Sequence, residues 1–317
     1  MNRVSGIWVP ALLWAGIVFS TGCQENKPRS ETTQQRPTVV IGAVLNVSGP
    51  LAAIGEPTLR TLQAFVNQYN VRPDRKFTLE LRYQDASSDP SKAPDALMRL
   101  RARSPQPTIL LASTSATAMA ILPHARQSEV PLIANAGHPD IVKNGGPAVI
   151  LAFPAPEDEI AAMVEAIPSD SSAFLVRADD VYHAQDAAVL QRTLGPRLVG
   201  DERFTLGQED FSAIVQKIQR VRPSRVLLVG LGISYDAFFR ELLARGVNTP
   251  IVVDTDFRSS QLSGYPAGIL PRITFIATEL MGDSAPPPYA AQYQNSFGSI
   301  PPYYATILVD VLNLALE

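Results

Sequence analysis

The chain has 317 residues and a formal net charge of only −3, enough length for two sizeable cores and too little charge for a polyelectrolyte partner. Its single cysteine excludes an intramolecular disulfide and any metal centre built from several thiolates. Lysine and arginine form no cluster and no acidic tail is present, which argues against nucleic acid.

The N-terminal stretch reads as an export signal. Arg3 is followed by an apolar run from Ile7 to Phe19, interrupted only by small residues and Pro10. That run falls short of the roughly 20 apolar residues a spanning helix needs, and matches the roughly 7 to 15 of a signal-peptide core. Ser20, Thr21 and Gly22 then lead into Cys23, and "VFSTGC" resembles a bacterial lipobox, in which the cysteine becomes a lipidated N terminus once residues 1–22 are removed. Ser20 departs from that pattern, which prefers an aliphatic residue there. An ordinary signal peptide beside an incidental thiol is the alternative. The following "QENKPRSETTQQRP" holds no aliphatic or aromatic residue, so residues 23–37 are expected to form a lipidated cysteine and a flexible tether of about 20 Å.

From Thr38 on, short apolar strands alternate with amphipathic helices. "TVVIGAVLN" is the first strand, and "PTLRTLQAFVNQYN" repeats Leu59, Leu62, Phe65, Val66 and Tyr69 at helical spacing. "KFTLELRYQD" alternates with period two, a strand signature, and Asp89 before Pro90 marks a helix start. "TILLAS", a helix from about Ala116, "VPLIANA" and "AVILAF" complete a first series. After the proline-rich "FPAPEDE" a second series runs through "SAFLVRAD", a helix from Tyr182, "DFSAIVQKIQRV", "RVLLVG", "YDAFFRELLARG" and "TPIVVDTD". This alternation predicts right-handed parallel crossovers, hence an α/β protein of two doubly wound parallel-sheet lobes joined by a hinge. A second proline-rich passage, "ELMGDSAPPPYAAQY", suggests a return crossing, giving an N-terminal lobe of 38–152 plus 282–317 and a C-terminal lobe of 153–281. The final helix stops at Glu317 within an apolar pattern and without a terminating Gly, Asn or Pro, so a chain cut short is expected.

Catalytic material is sparse. His124, His138 and His183 lie in separate segments, and no HExxH, GxSxG or P-loop spacing occurs, so neither enzymatic activity nor a cofactor or metal is expected. One partial dinucleotide fingerprint exists: a strand runs into Gly230-x-Gly232, with Asp254 about 20 residues on, but Tyr235 takes the place of the third glycine. A better candidate is a cleft beyond the carboxyl ends of the strands. There stand Ser48, the Ser113-Thr114-Ser115 run at a helix start, and Asn135, Ala136, Gly137 and His138. Helix-terminal N–H groups with adjacent hydroxyls suit a carboxylate. Tyr182, Asp254 and Asp256 offer an opposing wall whose acids suit an ammonium group. Plain helix capping for Ser115 and solvated loop charges for the aspartates are the structural alternatives.

Taken in order, "VVIGAVLNVSGPLAAIGEPTLRTLQAFVNQYN", "YQDASSDPSKAPDALMRL", "ASTSATAMAILPHARQSEVPLIANAGHPDIV", "DFSAIVQKIQRVRPSRVLLVG" and "ARGVNTPIVVD" resemble the type I periplasmic solute-binding proteins of the branched-chain amino-acid class. The resemblance implies two lobes that close on a small ligand and present it to a membrane permease. It implies that Ser115, Ala136 and His138 hold a ligand carboxylate and that Tyr182 contributes from the second lobe. Departures are His138 in place of Thr or Ser, His183 where Gly is common, and Thr255 where an acid usually meets the α-amino group. Asp254 or Asp256 would then substitute for that acid, or the ligand lacks an amine. The family also continues past the last helix into a further crossover. The expected function is a monomeric, lipid-anchored extracytoplasmic solute-binding protein, which captures an amino acid, amide or carboxylate for an ABC uptake transporter. The alternative is a regulatory or structural lipoprotein of the same fold that binds a protein partner such as a cell-wall synthase or sensor.

Overall fold

A computed structural model describes residues 36–255, 257, 264–276 and 288–317. The expected signal, Cys23, nearly all of the tether, Asp256 and the second proline-rich passage as far as residue 287 lie outside the described residues. The first sheet is built from β1 (Thr38–Leu45), β2 (Thr78–Asp85), β3 (Ile109–Ala112), β4 (Leu132–Ala134) and β5 (Val149–Leu151), in the order β2-β1-β3-β4-β5. Every pairing is parallel; Ile41, for example, stands opposite Leu81 on one side and Ile109 on the other. β1 is fully buried from Val40 to Leu45, apart from Gly42 an unbroken apolar run, as a strand covered on both faces requires.

Helices supply that cover. On one face α1 (Ala52–Val71), α9 (Pro288–Phe297) and α10 (Tyr303–Ala315) bring Leu62, Phe65, Tyr289, Leu308 and Leu312 against Ile41, Ala43 and Ile133. On the other, α2 (Ala93–Arg101), α3 (Ser115–Ser128) and α4 (Pro139–Gly145) pack Leu97, Ile121 and Ile141 on Val44, Leu110 and Leu132. Each fully buried leucine or phenylalanine contributes roughly 1.5–3 kcal/mol relative to exposure.

The second sheet repeats the plan with β6 (Ala173–Ala178), β7 (Leu198–Phe204), β8 (Arg225–Val229), β9 (Ile251–Val253) and β10 (Ile273–Phe275), in the order β10-β9-β8-β6-β7, again all parallel. α7 (Ser212–Val221) and α8 (Tyr235–Ala244) cover one face through Val215, Ile218, Phe238 and Phe239. α5 (Pro156–Glu165) and α6 (Val181–Leu194) cover the other through Ile160, Met163 and Leu190.

Two helix starts differ from expectation. α1 begins a turn before Pro57, which therefore sits inside the helix and denies the Ala53 carbonyl its usual i+4 donor. The Tyr304 hydroxyl of α10 donates to that carbonyl instead, at 3.2 Å. Gly55, in the same turn, permits a close approach: a Cβ there would lie 2.0 Å from the Asn46 carbonyl oxygen. Asp89 does cap, but it accepts from the Ser91 N–H at the head of a single 3-10 turn, and α2 proper starts at Ala93. Among the described residues no helix is long and apolar enough to cross a membrane.

Candidate functional site

In each sheet the first strand, β1 or β6, has its successor on one side and the next strand on the other. The loops beyond such a pair diverge and leave a crevice at the carboxyl end of the sheet, where open parallel sheets hold ligands. Here the two crevices meet in one cavity of about 120 Å³. The first lobe contributes the run from Ser113 to Ala116 after β3, Asn135 to Gly137 after β4, Leu51 before α1 and Ile54 in its first turn, and Phe153 lies just past β5 where the chain leaves this lobe. The second contributes the run from Asp180 to His183 after β6, Leu206 after β7 and Leu231 after β8, and α10 adds Tyr304. The lining is mainly aliphatic and aromatic, with its polar groups gathered beyond the strand ends apart from Tyr304 of α10.

The first-lobe wall is ordered by a buried hydroxyl–amide network. Asn46, the residue after β1, donates from Nδ2 to Ser113 Oγ at 3.2 Å and to Thr117 Oγ1 at 3.1 Å. Thr114 is the N-cap of α3 and accepts from the Thr117 N–H, so capping falls to Thr114 and not to Ser115. Ser115 is buried at the cavity wall, beside the first amides of α3, which have no intrahelical acceptor.

The second-lobe wall is ordered by two carboxylates. Asp180 caps α6, accepting on Oδ1 from the N–H groups of Tyr182 and His183 and meeting His183 Nδ1 with Oδ2 at 2.6 Å. Burial alone would lower the His183 pKa, but the charge and hydrogen bond of Asp180, with the charges of Asp186 and Asp254, raise it from 6.5 to about 10. Burial works against the Asp180 charge too, and the imidazolium together with the two amides outweighs it, holding that carboxyl below its ordinary value. Glu159 lies behind Tyr182. Its Oε2 accepts from the Tyr182 hydroxyl at 2.9 Å, and its Oε1 accepts from the Thr255 N–H and hydroxyl at 2.8 and 2.6 Å. Gly137 packs directly against this wall: a Cβ on it would lie 2.1 Å from the Pro154 carbonyl oxygen and 2.7 Å from Tyr182 Cε2.

Of the residues expected from sequence, Ser115, Ala136 and Tyr182 line the cavity together. Ser48, His138 and Asp254 do not. The Ser48 hydroxyl donates to Asp85, which also accepts from the N–H groups of Val47 and Ser87. Burial would raise the Asp85 carboxyl, but these donors hold it below its ordinary value. His138 turns back to cap α4, its Nδ1 accepting from the Asp140 N–H at 3.2 Å. Asp254 is buried under the β8–α8 turn, accepting from the Gly230 N–H at 2.6 Å and from the Tyr235 hydroxyl at 2.8 Å. It thereby occupies the amide that a dinucleotide-binding turn would present to phosphate. Asp256 and Cys23 lie outside the described residues. Glu159 was not anticipated, although the inward spacing of Pro156, Ile160 and Met163 does place it on the buried face of α5.

A sequence profile of the periplasmic binding proteins matches residues 38–308, and the chain belongs to that family. Its two five-stranded parallel sheets with flanking helices are the type I periplasmic binding protein fold. Among solved structures it is similar to the branched-chain amino-acid transporter substrate-binding protein LivJ of Streptococcus pneumoniae, crystallised with isoleucine. The TM-score is 0.74 at 19% identity, covering 88% of this chain and 83% of that one. It is also similar to an R. palustris ABC-transporter solute-binding protein in complex with 4-hydroxybenzoate, with TM-score 0.73, 16% identity and coverage of 88% and 80%. A leucine-binding protein, LivK, of Thermotoga maritima gives TM-score 0.71, 18% identity and coverage of 88% and 81%. At these identities the shared property is the fold. Comparison with curated protein sequences gave no match.

Proposed function

We propose that this chain captures a small carboxylate-bearing solute between its two lobes and delivers it to the membrane permease of an ABC transporter. The observation that carries this reading is the convergence of both sets of strand ends on one largely apolar cavity, with Ser115 and the first amides of α3 on one wall and Tyr182 on the other. An anion at a helix start, and an aliphatic or aromatic body against Leu51, Ile54, Phe153 and Leu231, would satisfy both kinds of lining. That relatives of this fold are crystallised with isoleucine and with 4-hydroxybenzoate supports the same size and chemistry of ligand.

The N-terminal lobe is taken as 38–152 plus 282–317 and the C-terminal lobe as 153–281. The packing of α9 and α10 on the first sheet supports that division. Cys23 is taken as the lipid attachment point and residues 24–37 as the tether of an exported monomer. Thermal unfolding of the purified protein against amino acids, amides and aromatic acids tests ligand capture. A ligand at a hundred times its dissociation constant should add about 2.7 kcal/mol, and Ser115→Ala should abolish the shift. A cooperatively folded protein that no member of the panel stabilises would refute the reading.

A further inference from the structure

We infer that the solute is an amine-free organic acid rather than an α-amino acid, and that His183 is the residue that sets this preference by presenting Nε2–H as a cationic donor to an acceptor group of the ligand. This rests on the solute-binding reading and names its ligand class.

His183 lines the cavity, is 97% buried by the 3% exposure of its residue, and belongs to a ring fixed on both sides: Nδ1 lies 2.6 Å from Asp180 Oδ2, and the Tyr182 ring meets it edge to face at 5.3 Å. With Nδ1 spent on Asp180, the remaining ring donor is Nε2, which is buried and bonds to no described residue, Asp186 and Asp254 included. A buried charged donor without an acceptor is costly, so a group that completes it binds with that cost recovered. Burial disfavours charge on this ring, but the hydrogen bond and charge of Asp180, with the charges of Asp186 on α6 and Asp254 after β9, favour its protonated form.

Among the described residues the same geometry leaves no free carboxylate to anchor an ammonium group. Asp180 is the one carboxylate among the described residues lining the cavity, and both of its oxygens are engaged by Tyr182 and His183. Glu159 is turned to Tyr182 and Thr255. An ammonium group entering here would face a fixed imidazolium; a carboxylate, phenolic or carbonyl oxygen would face its donor.

Calorimetric titration of the purified full chain with matched pairs tests this: 4-methylpentanoate against leucine, 3-phenylpropanoate against phenylalanine, with benzoate as a third acid. At least one acid is expected to bind ten-fold or more tightly than its amino-acid counterpart, and His183→Gln to remove that difference. Because this substitution leaves Asp180 without its buried partner and can prevent folding, the wild-type protein is also followed by ring-¹⁵N histidine spectra. With three histidines in the chain the assignment is tractable, and the acid should move the His183 Nε2–H signal downfield. Amino acids that bind as tightly as the acids, or a bound acid that leaves the His183 signal unmoved, would overturn the inference while leaving solute capture standing. If no member of any pair binds, the solute-capture reading fails and this inference fails with it.

Discussion

The Tyr235 hydroxyl lies 2.8 Å from Asp254 Oδ1 and 2.9 Å from the Gly230 carbonyl oxygen, while the other Asp254 oxygen accepts from the Gly230 N–H at 2.6 Å. Three residues that in sequence resemble parts of a nucleotide-binding turn are thus tied to one another inside the second lobe. All are buried, so removing one donor leaves a carboxylate under-satisfied in a low-dielectric site. Tyr235→Phe is expected to destabilise the protein by about 1–3 kcal/mol, read as a lower urea midpoint at unchanged slope. NAD should shift the melting temperature of neither protein. A stabilising effect of NAD on the wild type would show that this lock opens.

Pro57 and Tyr304 form a second coupled pair, 247 positions apart. The proline removes the donor that the Ala53 carbonyl would have had, and Tyr304 supplies a replacement from α10. Tyr304→Phe in the wild-type background should cost about 1–2 kcal/mol. The same change made together with Pro57→Ala, which restores the helical donor, should cost less. Equal losses in both backgrounds, measured by a double-mutant cycle, would disprove the coupling.

Gly137 sets how closely the first lobe approaches the second. Its position admits no Cβ, because the nearest obstacle, 2.1 Å away, is a backbone carbonyl that cannot swing aside as a side chain would. Gly137→Ala is therefore expected to leave both sheets folded and to weaken ligand binding at least ten-fold, about 1.4 kcal/mol. Titration of the variant with the ligand found for the wild type decides it, and unchanged affinity would mean that the lobes close without this contact.

These pairs show how far residue patterns reach. β1 was readable as a two-sided buried strand from its apolar run, and the rule that ligands sit beyond parallel strand ends was enough to bring Ser115, Ala136 and Tyr182 to one cavity. The rule cannot tell which of several polar residues at a strand end faces outward to the ligand and which is consumed locally. Ser48 is consumed by Asp85, His138 by the start of α4 and Asp254 by Gly230. The reverse failure is Glu159, whose partner Thr255 is 96 positions away. Helical spacing turns that acid inward, but only the meeting of α5 with the loop after β9 gives it something to hold.

The Asp180–His183 pair makes stability depend on pH in a defined direction. The folded-state pKa of His183, about 10, exceeds its ordinary 6.5, and Asp180, Asp186 and Asp254 are the charged groups that raise it. Its stabilisation is therefore fully present below about pH 6.5 and is lost as the pH rises through 10, because the unfolded chain gives up its proton first. Asp180 works in the opposite sense: with a pKa lowered from 3.8, its contribution is present above that value and is lost as the pH falls through the lowered one. The pair is thus most stabilising between about pH 4 and 6.5. Between pH 7 and 9.5 the unfolding free energy should decline with a slope approaching about 1.4 kcal/mol per pH unit, the value for one proton. Asp180→Asn should flatten that slope while lowering stability at pH 6. A wild-type protein whose stability is level from pH 7 to 9.5 would mean that the buried ring is neutral, and that Nε2 carries no positive charge into the cavity.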